Sequence, residues 1–472
     1  MPDYNSDRPA NFYFGGGGDT FATPVAIVLL VVSGILIFLL PRKYAFVPFL
    51  LTGLLIPLNV SVVVAGLHFS ADRLLIIMGW IRILVRGERY PDRLNSLDKA
   101  ILYGALVNSI CYVVVWRESG ALINRLGFLV SALGAYFLLR SLVRSRGDVV
   151  RMIKVLAVVV AIAAPAIWYE HRSQHNLFSI VGAPALTVDI RDGGVRARGP
   201  FGTSIIAGIL GVVLIPLFVV LWRSRRDRPL AAIAIVSSLV LMIASASSTP
   251  VMALPAGILA LSMWRFRNRM RIVRRWIVAA LVALQLEMWI HSGAPVWFAI
   301  DRVSGFLGGS GWHRAMLIDN FVRHFFEWCL IGTKNYPDWG WSMWDVDNAF
   351  VGAGLMGGMA GFLLFLYIFI YGFRTLAKAR RAAEESGRDA RLIWAIGAAL
   401  FANLVGFFGI VYFDQSVIAW YALLVMIQVT PTFALKERQP QPQLASDAAI
   451  SWGVYPEPTG VQALTQPYVE HC

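Results

Sequence analysis

Charge is scarce in this chain. Of its 472 residues only 15% are Asp, Glu, Lys or Arg, against about 25% in a soluble domain. Cysteine is scarcer still: Cys111, Cys329 and Cys472 are the three present, too few and too scattered for a disulfide framework or a metal quartet. The chain has no GxxxxGK[ST], no HExxH, no CxxC and no repeat of about 20–50 residues, which argues against an ATP-driven motor, a zinc hydrolase of that type and a solenoid. The first 21 residues, which include GGGGDT, lack a basic n-region and a cleavage site, so no removable signal peptide is expected.

The excess is in apolar residues, which make up 57% of the chain, with a mean hydropathy of +0.63. Apolar runs of about 18–23 residues recur along most of it, the pattern of an all-α polytopic transmembrane helix bundle of about 12–13 spans. The runs predict spans at 22–40, 44–66, 69–85, 98–116, 121–143, 152–169, 200–222, 229–249, 250–265, 274–291, 349–373, 392–411 and 415–432. The layout expected is a polar N-terminus (1–21), ten spans (22–291), one large outer loop (292–348), three more spans (349–432) and a tail (433–472). That tail is rich in Pro, Gln and Ala and reads as disordered and cytoplasmic.

Every second connecting loop is basic. One set holds Arg42 and Lys43, then Arg86, Arg89 and Arg93, then Arg144 to Lys154, RSRRDR at 223–228, RFRNRMRIVRR at 265–275, and the run from Arg374 to Arg391. The alternate loops, including the long ones at 170–199 and 292–348, are nearly balanced. The positive-inside rule places the basic set in the cytoplasm, the N-terminus outside and the C-terminus inside. It also explains the formal net charge of +14 by topology, so no nucleic-acid partner is implied.

The two long outer loops hold the chemistry-bearing residues. In VDIRDGGVRARGPFGTS, Arg196 and Arg198 directly precede a predicted span. Pro and Gly at a helix start leave free N–H groups and a positive dipole end. With two arginines beside them, such a site suits a phosphate or diphosphate; a charged loop meeting lipid headgroups would show the same residues. In the second loop, GWHRAMLIDNFVRHFFEWCLIG predicts an amphipathic helix over about 311–330. His313, Asn320, His324 and Glu327 share a polar face, while Leu317, Phe321, Phe325 and Trp328 share an apolar one. Arg314 falls in the middle of the apolar face. A guanidinium aimed there needs a water-filled cavity, an anion, or a pairing with Asp301 or Asp345.

His313 and His324 lie about 16 Å apart along such a helix and cannot share one ion, so no metal is expected. Asp345 and Asp347 are the acids nearest the following span, and Asp347 is placed to take a proton from a hydroxyl nucleophile or to favour the helix start. Asn348 suits an N-cap. Trp339, Trp341 and Trp344 suit an interfacial belt or a platform for sugar rings. Gly352, Gly354, Gly357, Gly358 and Gly361 permit close helix packing.

Taken together, these features resemble the O-antigen ligase and O-antigen polymerase superfamily of bacterial envelope proteins. They are about a dozen spans, a large outer loop before the last three, the RARGPFGTS motif at a mid-chain span, and a loop running from an arginine through an amphipathic helix and LIGT to a polar–Asn pair before a Gly-rich span. The resemblance covers roughly residues 60–430. It implies a metal-independent, cofactor-free glycosyltransferase in the bacterial cytoplasmic membrane. Such an enzyme moves a glycan from an undecaprenyl-diphosphate donor to a glycan or lipid acceptor at the outer face, among membrane lipids and envelope-assembly proteins. Arg196 or Arg198, with Arg302 or Arg314, would hold the diphosphate, and His313 is a further substrate-binding candidate. The family's usual His-Asn pair falls on Asp347-Asn348, where an aspartate replaces the histidine. The competing expectations are a transporter or flippase, which calls for paired broken helices and midplane charge, and a non-catalytic assembly protein indifferent to loss of Arg314 and Asp347.

Overall fold

The computed structural model describes residues 20–64, 67–88, 93–186, 189–191, 194–305 and 311–434. The polar N-terminal stretch and the tail from 435 onward, expected to be disordered, lie outside these residues. The described chain is all-α, with two short antiparallel hairpins. In order it forms α1 (Pro24–Leu39), α2 (Arg42–Leu55), a hairpin of β1 (Ser61–Val64) and β2 (Leu67–Ser70), α3 (Ala71–Val85), α4 (Ser96–Trp116), α5 (Ser119–Leu142) and α6 (Arg146–Ser173). A second hairpin, β3 (Ile190–Arg191) and β4 (Gly194–Val195), precedes α7 (Ser204–Leu221), α8 (Arg228–Ala244), α9 (Ser248–Ser262) and α10 (Met270–Ser292). Then come α11 (Ala299–Gly305), α12 (Gly311–Arg323), the single turn α13 (Phe325–Trp328), α14 (Ala349–Glu385), α15 (Arg391–Gly406) and α16 (Val417–Val429).

Local chemistry sets many of the boundaries. Asn95 and Asp98 form a capping box at α4, and Ser145 and Asp148 form another at α6, each satisfying two orphan backbone donors. α7 and α16 are buried along nearly their whole length, as their all-round apolar composition demands. They form the bundle centre, with α7 packed on α6, α8, α9 and α15.

Among the described residues, six helices are long and apolar enough to cross a membrane: α4, α5, α6, α7, Ser248–Phe266 and α14. A seventh arises if α10 and the following segment to Arg302, bent by 87°, form one span. The chain is therefore a multi-pass membrane protein by helix length and composition. α1, α8, α15 and Val417–Phe433 are shorter apolar helices; at 17 residues or fewer they reach about 26 Å at most, against a hydrocarbon core of about 30 Å.

The loops collect at two ends, in the grouping that their charge anticipates. At the basic end, Arg42 donates to Leu142 O at 2.6 Å, Arg151 to Lys43 O at 2.8 Å and Arg388 to Phe433 O at 2.8 Å. Lys154 pairs there with Asp227 at 2.7 Å and Arg223 with Asp389 at 3.4 Å. At the opposite end, Thr23 Oγ1 donates to Ile180 O, Asn59 to Gly182 O and Gln415 to Pro200 O, all within 2.8 Å.

Several boundaries differ from the sequence expectation; α14, for one, runs on to Glu385 where the span was expected to end at 373. The span expected at 44–66 ends at Leu55, and the rest turns back as the β1–β2 hairpin, whose register Ser61↔Ser70 is extended by a Phe21↔Ser61 bridge. α7 starts at Ser204, capped by Thr203, rather than at 200. The amphipathic helix expected to 330 stops at Arg323, and α13 follows the break at His324.

Candidate functional site

The site is built where the 189–203 segment, the start of α9, α12 and the residues before α14 meet. α12 lays its apolar face on α14 as its periodicity requires. Leu317, Phe321 and Trp328 are buried, and the Phe321 and Trp328 rings stack at 3.9 Å. Part of the polar face is covered rather than solvated. His313 bonds Ser342 O at 2.9 Å, and Asn320 lies against Met343. The solvated part is His324, which bonds Glu327 at 2.6 Å and stacks on Trp339 at 4.7 Å.

The loop is fastened to a break in α14. Gly358 has φ +62°, a left-handed conformation that glycine alone adopts freely. The exposed backbone groups around it are taken by the CLIGT segment: Met359 N–H donates to Cys329 O at 2.8 Å, and Thr333 N–H donates to Leu355 O at 3.0 Å. Gly332, at φ +84°, permits this backbone-to-backbone approach. LIGT therefore works as a plug in a broken helix.

Arg314 points from α12 to the start of α9. Its Nη1 donates to Ser248 Oγ at 3.1 Å and its Nη2 to Thr249 Oγ1 at 2.7 Å, and it is only 3% exposed. It also lines a cleft of about 910 Å³ shared with Arg196, Asp345 and Asp347. Burial pushes the Asp347 carboxyl up to about 7, and the neighbouring Asp345 adds to this, while Arg314 and Arg196 pull it back. Arg196 also pairs with Asp189 at 3.3 Å. From this polar mouth the cleft runs between α4, α14 and α16 to apolar walls that include Ile101, Ile368 and Leu424.

Of the sequence candidates, the cleft brings together Arg196, Arg314 and Asp347. Arg198, Arg302, His313 and Asn348 are not among its lining residues. Arg302 is exposed and pairs with Glu287 of α10 at 3.6 Å. Asn348 is buried as the N-cap of α14, accepting from Phe350 and Val351 N–H. Several of the N–H groups of RARGPFGTS that were expected to be free are occupied. The fully buried Glu170 accepts from Arg198 and Gly199 N–H at 3.2 and 2.7 Å, and Asp414 accepts from Gly202 N–H at 2.7 Å. An anion at this mouth would meet the guanidinium groups of Arg196 and Arg314, which line it. Burial raises the Asp414 carboxyl as well.

Sequence reasoning missed Arg125, which also lines the cleft. It sits inside α5 over the Tyr112 ring at 4.2 Å and the Phe128 ring at 5.1 Å, and donates to Asn124 Oδ1 at 2.7 Å. The signal was a lone arginine inside an apolar run. Glu170 and Asp414 were missed too; an acid at a span boundary reads like any loop charge until its partners are known. Cys111 and Cys329 are free thiols. Among the described residues no group of three His, Cys, Asp or Glu side chains is disposed to hold a metal ion. No family model matches the chain, and no characterised protein matches it.

Proposed function

We propose that this protein is a membrane glycosyltransferase that transfers or polymerises a glycan from an undecaprenyl-diphosphate donor at the outer face of the bacterial cytoplasmic membrane, for O-antigen or exopolysaccharide assembly. The carrying observation is one cleft that joins Arg125, Arg196 and Arg314 and the carboxylates of Asp189, Asp345 and Asp347 to an apolar run between α4, α14 and α16. That is the shape of an amphiphile with an anionic head. Arg314 and Arg196 would stabilise the charge that develops on a departing diphosphate. Asp347, its carboxyl raised to about 7 by burial, would take the proton from the attacking sugar hydroxyl. A lipid diphosphate carries its own activation, so no ATP site is needed.

In this reading the basic end faces the cytoplasm, α1 to α10 and α14 to α16 cross or enter the bilayer, and the 292–348 loop lies outside. Arg302, His313 and Asn348 hold the loop and its neighbours in this reading. Two broken helices favour a transporter, since half-helix ends often line transport sites: the 87° bend after α10 and the break in α14. The freed groups of α14 are occupied by Cys329 and Thr333, which weakens that alternative.

The test is transfer by the purified, reconstituted protein from a lipid-diphosphate-linked glycan, with no ATP and no added metal, products being sized on a gel. Wild type should transfer, and Arg314→Ala and Asp347→Ala should fold without transferring. A ladder identifies a polymerase and a single step a ligase. Movement of intact lipid across the vesicle without transfer would replace this reading with a flippase.

A further inference from the structure

A second cleft, of about 900 Å³, lies at the basic end between α10 and the bundle. α10 stands almost bare: Met288 is its only buried residue, and Trp276 and Ile290 are 72% and 78% exposed. One end of the cleft is lined by Arg271 and Arg274 of α10 and by Arg374, Lys378 and Arg381 of α14. All five are exposed, and no carboxylate among the described residues forms an ion pair with any of them. Two more arginines at the same end, Arg267 and Arg380, share the single carboxylate of Glu384 at 2.8 and 2.6 Å. Away from this rim the walls become apolar, with Ile277 on one side and Ile370 and Phe401 on the other.

Loop topology explains the sign of this end of the molecule. It does not explain why five like charges converge on one cleft. Other cations of the same end, such as Arg223, Arg225 and Arg226, are not among its lining residues. Convergence repels unless an anion sits between the charges. We propose that an anionic phospholipid of that leaflet fills this cleft, with its phosphate among Arg271, Arg274 and Lys378 and its acyl chains along Ile277, Ile370 and Phe401, and so ties α10 to the bundle. Charge complementarity selects the headgroup, and the apolar depth selects an amphiphile over a soluble phosphate. The inference is independent of what happens in the first cleft.

The experiment uses the full chain purified in detergent and delipidated. Phosphatidylglycerol, phosphatidylcholine or inorganic phosphate is then added, with the thermal midpoint and the lipid retained in native mass spectrometry as readouts. Phosphatidylglycerol should raise the midpoint and be retained, whereas phosphatidylcholine and inorganic phosphate should do neither. The triple variant Arg271→Gln/Arg274→Gln/Lys378→Gln should retain phosphatidylglycerol roughly a hundredfold more weakly. The charge-matched variant Arg223→Gln/Arg225→Gln/Arg226→Gln should retain it like wild type, and the variant Arg271→Lys/Arg274→Lys should largely preserve retention. Equal loss in both triple variants would reduce the effect to general surface charge and overturn the proposal. So would an equal response to inorganic phosphate, or a cysteine cross-link at Trp276 showing that a second copy covers α10.

Discussion

If Asp347 acts as a base, the transfer rate must carry an ionisation whose position is set by its burial and by the charges around it. The carboxyl is raised to about 7 by burial and by Asp345, and Arg314 and Arg196 oppose the rise. The reactive form is the carboxylate, so kcat/KM should climb with pH, by about tenfold between about pH 6 and about pH 8, and level off above. Two substitutions should move that limb in opposite directions. Asp345→Asn removes a like charge, favours the Asp347 carboxylate and shifts the limb to lower pH. Arg314→Gln removes an opposite charge, disfavours the carboxylate and shifts the limb to higher pH, besides lowering the plateau. Each displacement should be on the order of one pH unit, since a charge within about 4–6 Å moves a carboxylate by about that much or more. Asp347→Asn should abolish the limb together with most of the rate. The assay is initial transfer rate against pH in reconstituted vesicles, with thermal midpoints to confirm folding. A flat wild-type profile, a limb that survives Asp347→Asn, or two shifts of the same sign would refute the assignment.

Three further outcomes follow from packing. Gly358→Ala should lower stability by about 2–5 kcal/mol, adding a left-handed backbone cost to an overpacking cost, because a Cβ there would stand 2.7 Å from the Leu330 carbonyl carbon; a thermal midpoint unchanged from wild type would contradict the plugged break in α14. Arg82→Ala should cost about 2–4 kcal/mol: Arg82 is fully buried, pairs with Glu88 at 2.6 Å and donates to Ile37 and Leu40 carbonyls at the end of α1, and its loss should appear as early proteolysis near 40–43. Glu170→Gln should cost about 1–3 kcal/mol by weakening two charge-assisted bonds to the Arg198–Gly199 turn, measured by denaturation in detergent, while transfer by the folded fraction is retained.

The helical elements were legible because a span is a local property. An apolar run must hydrogen-bond itself into a helix wherever it meets lipid, and loop charge is written in the loop. The aim of Arg314 was legible for the same reason: helical periodicity put it on the face with Leu317 and Phe321, and that face is inward. What escaped was every feature decided by distant partners. The N–H groups of RARGPFGTS looked free because their acceptors are Glu170, 29 residues before Gly199, and Asp414, 212 residues after Gly202. The break in α14 escaped because a glycine-rich span reads as close packing until CLIGT is seen to supply the missing bonds. The end of α2 at Leu55 escaped because apolar residues of the β1–β2 hairpin resemble the continuation of a span.

The position of Asp347 owes little to its own side chain. The next residue, Asn348, caps α14, and Ala349 N–H donates to Phe407 O at 2.9 Å. Ten residues on, the break at Gly358 is clamped by the main chain of 329–333. A carboxylate held at half burial by the backbone bonds that follow it cannot relax toward water to regain its usual affinity for protons. The burial that raises its affinity for protons is thus supplied by the scaffold, and should persist as long as the plug does. It follows that charge substitutions at Asp345, Asp347 and Arg314 should leave the fold standing and report on chemistry. Gly332→Ala and Gly358→Ala should instead release the α14 start, return the Asp347 limb toward the ordinary carboxylate range and lower the rate without touching a single charge. If the glycine variants fold and keep the wild-type limb, Asp347 is tuned by its immediate neighbours alone, and the clamp is only structural.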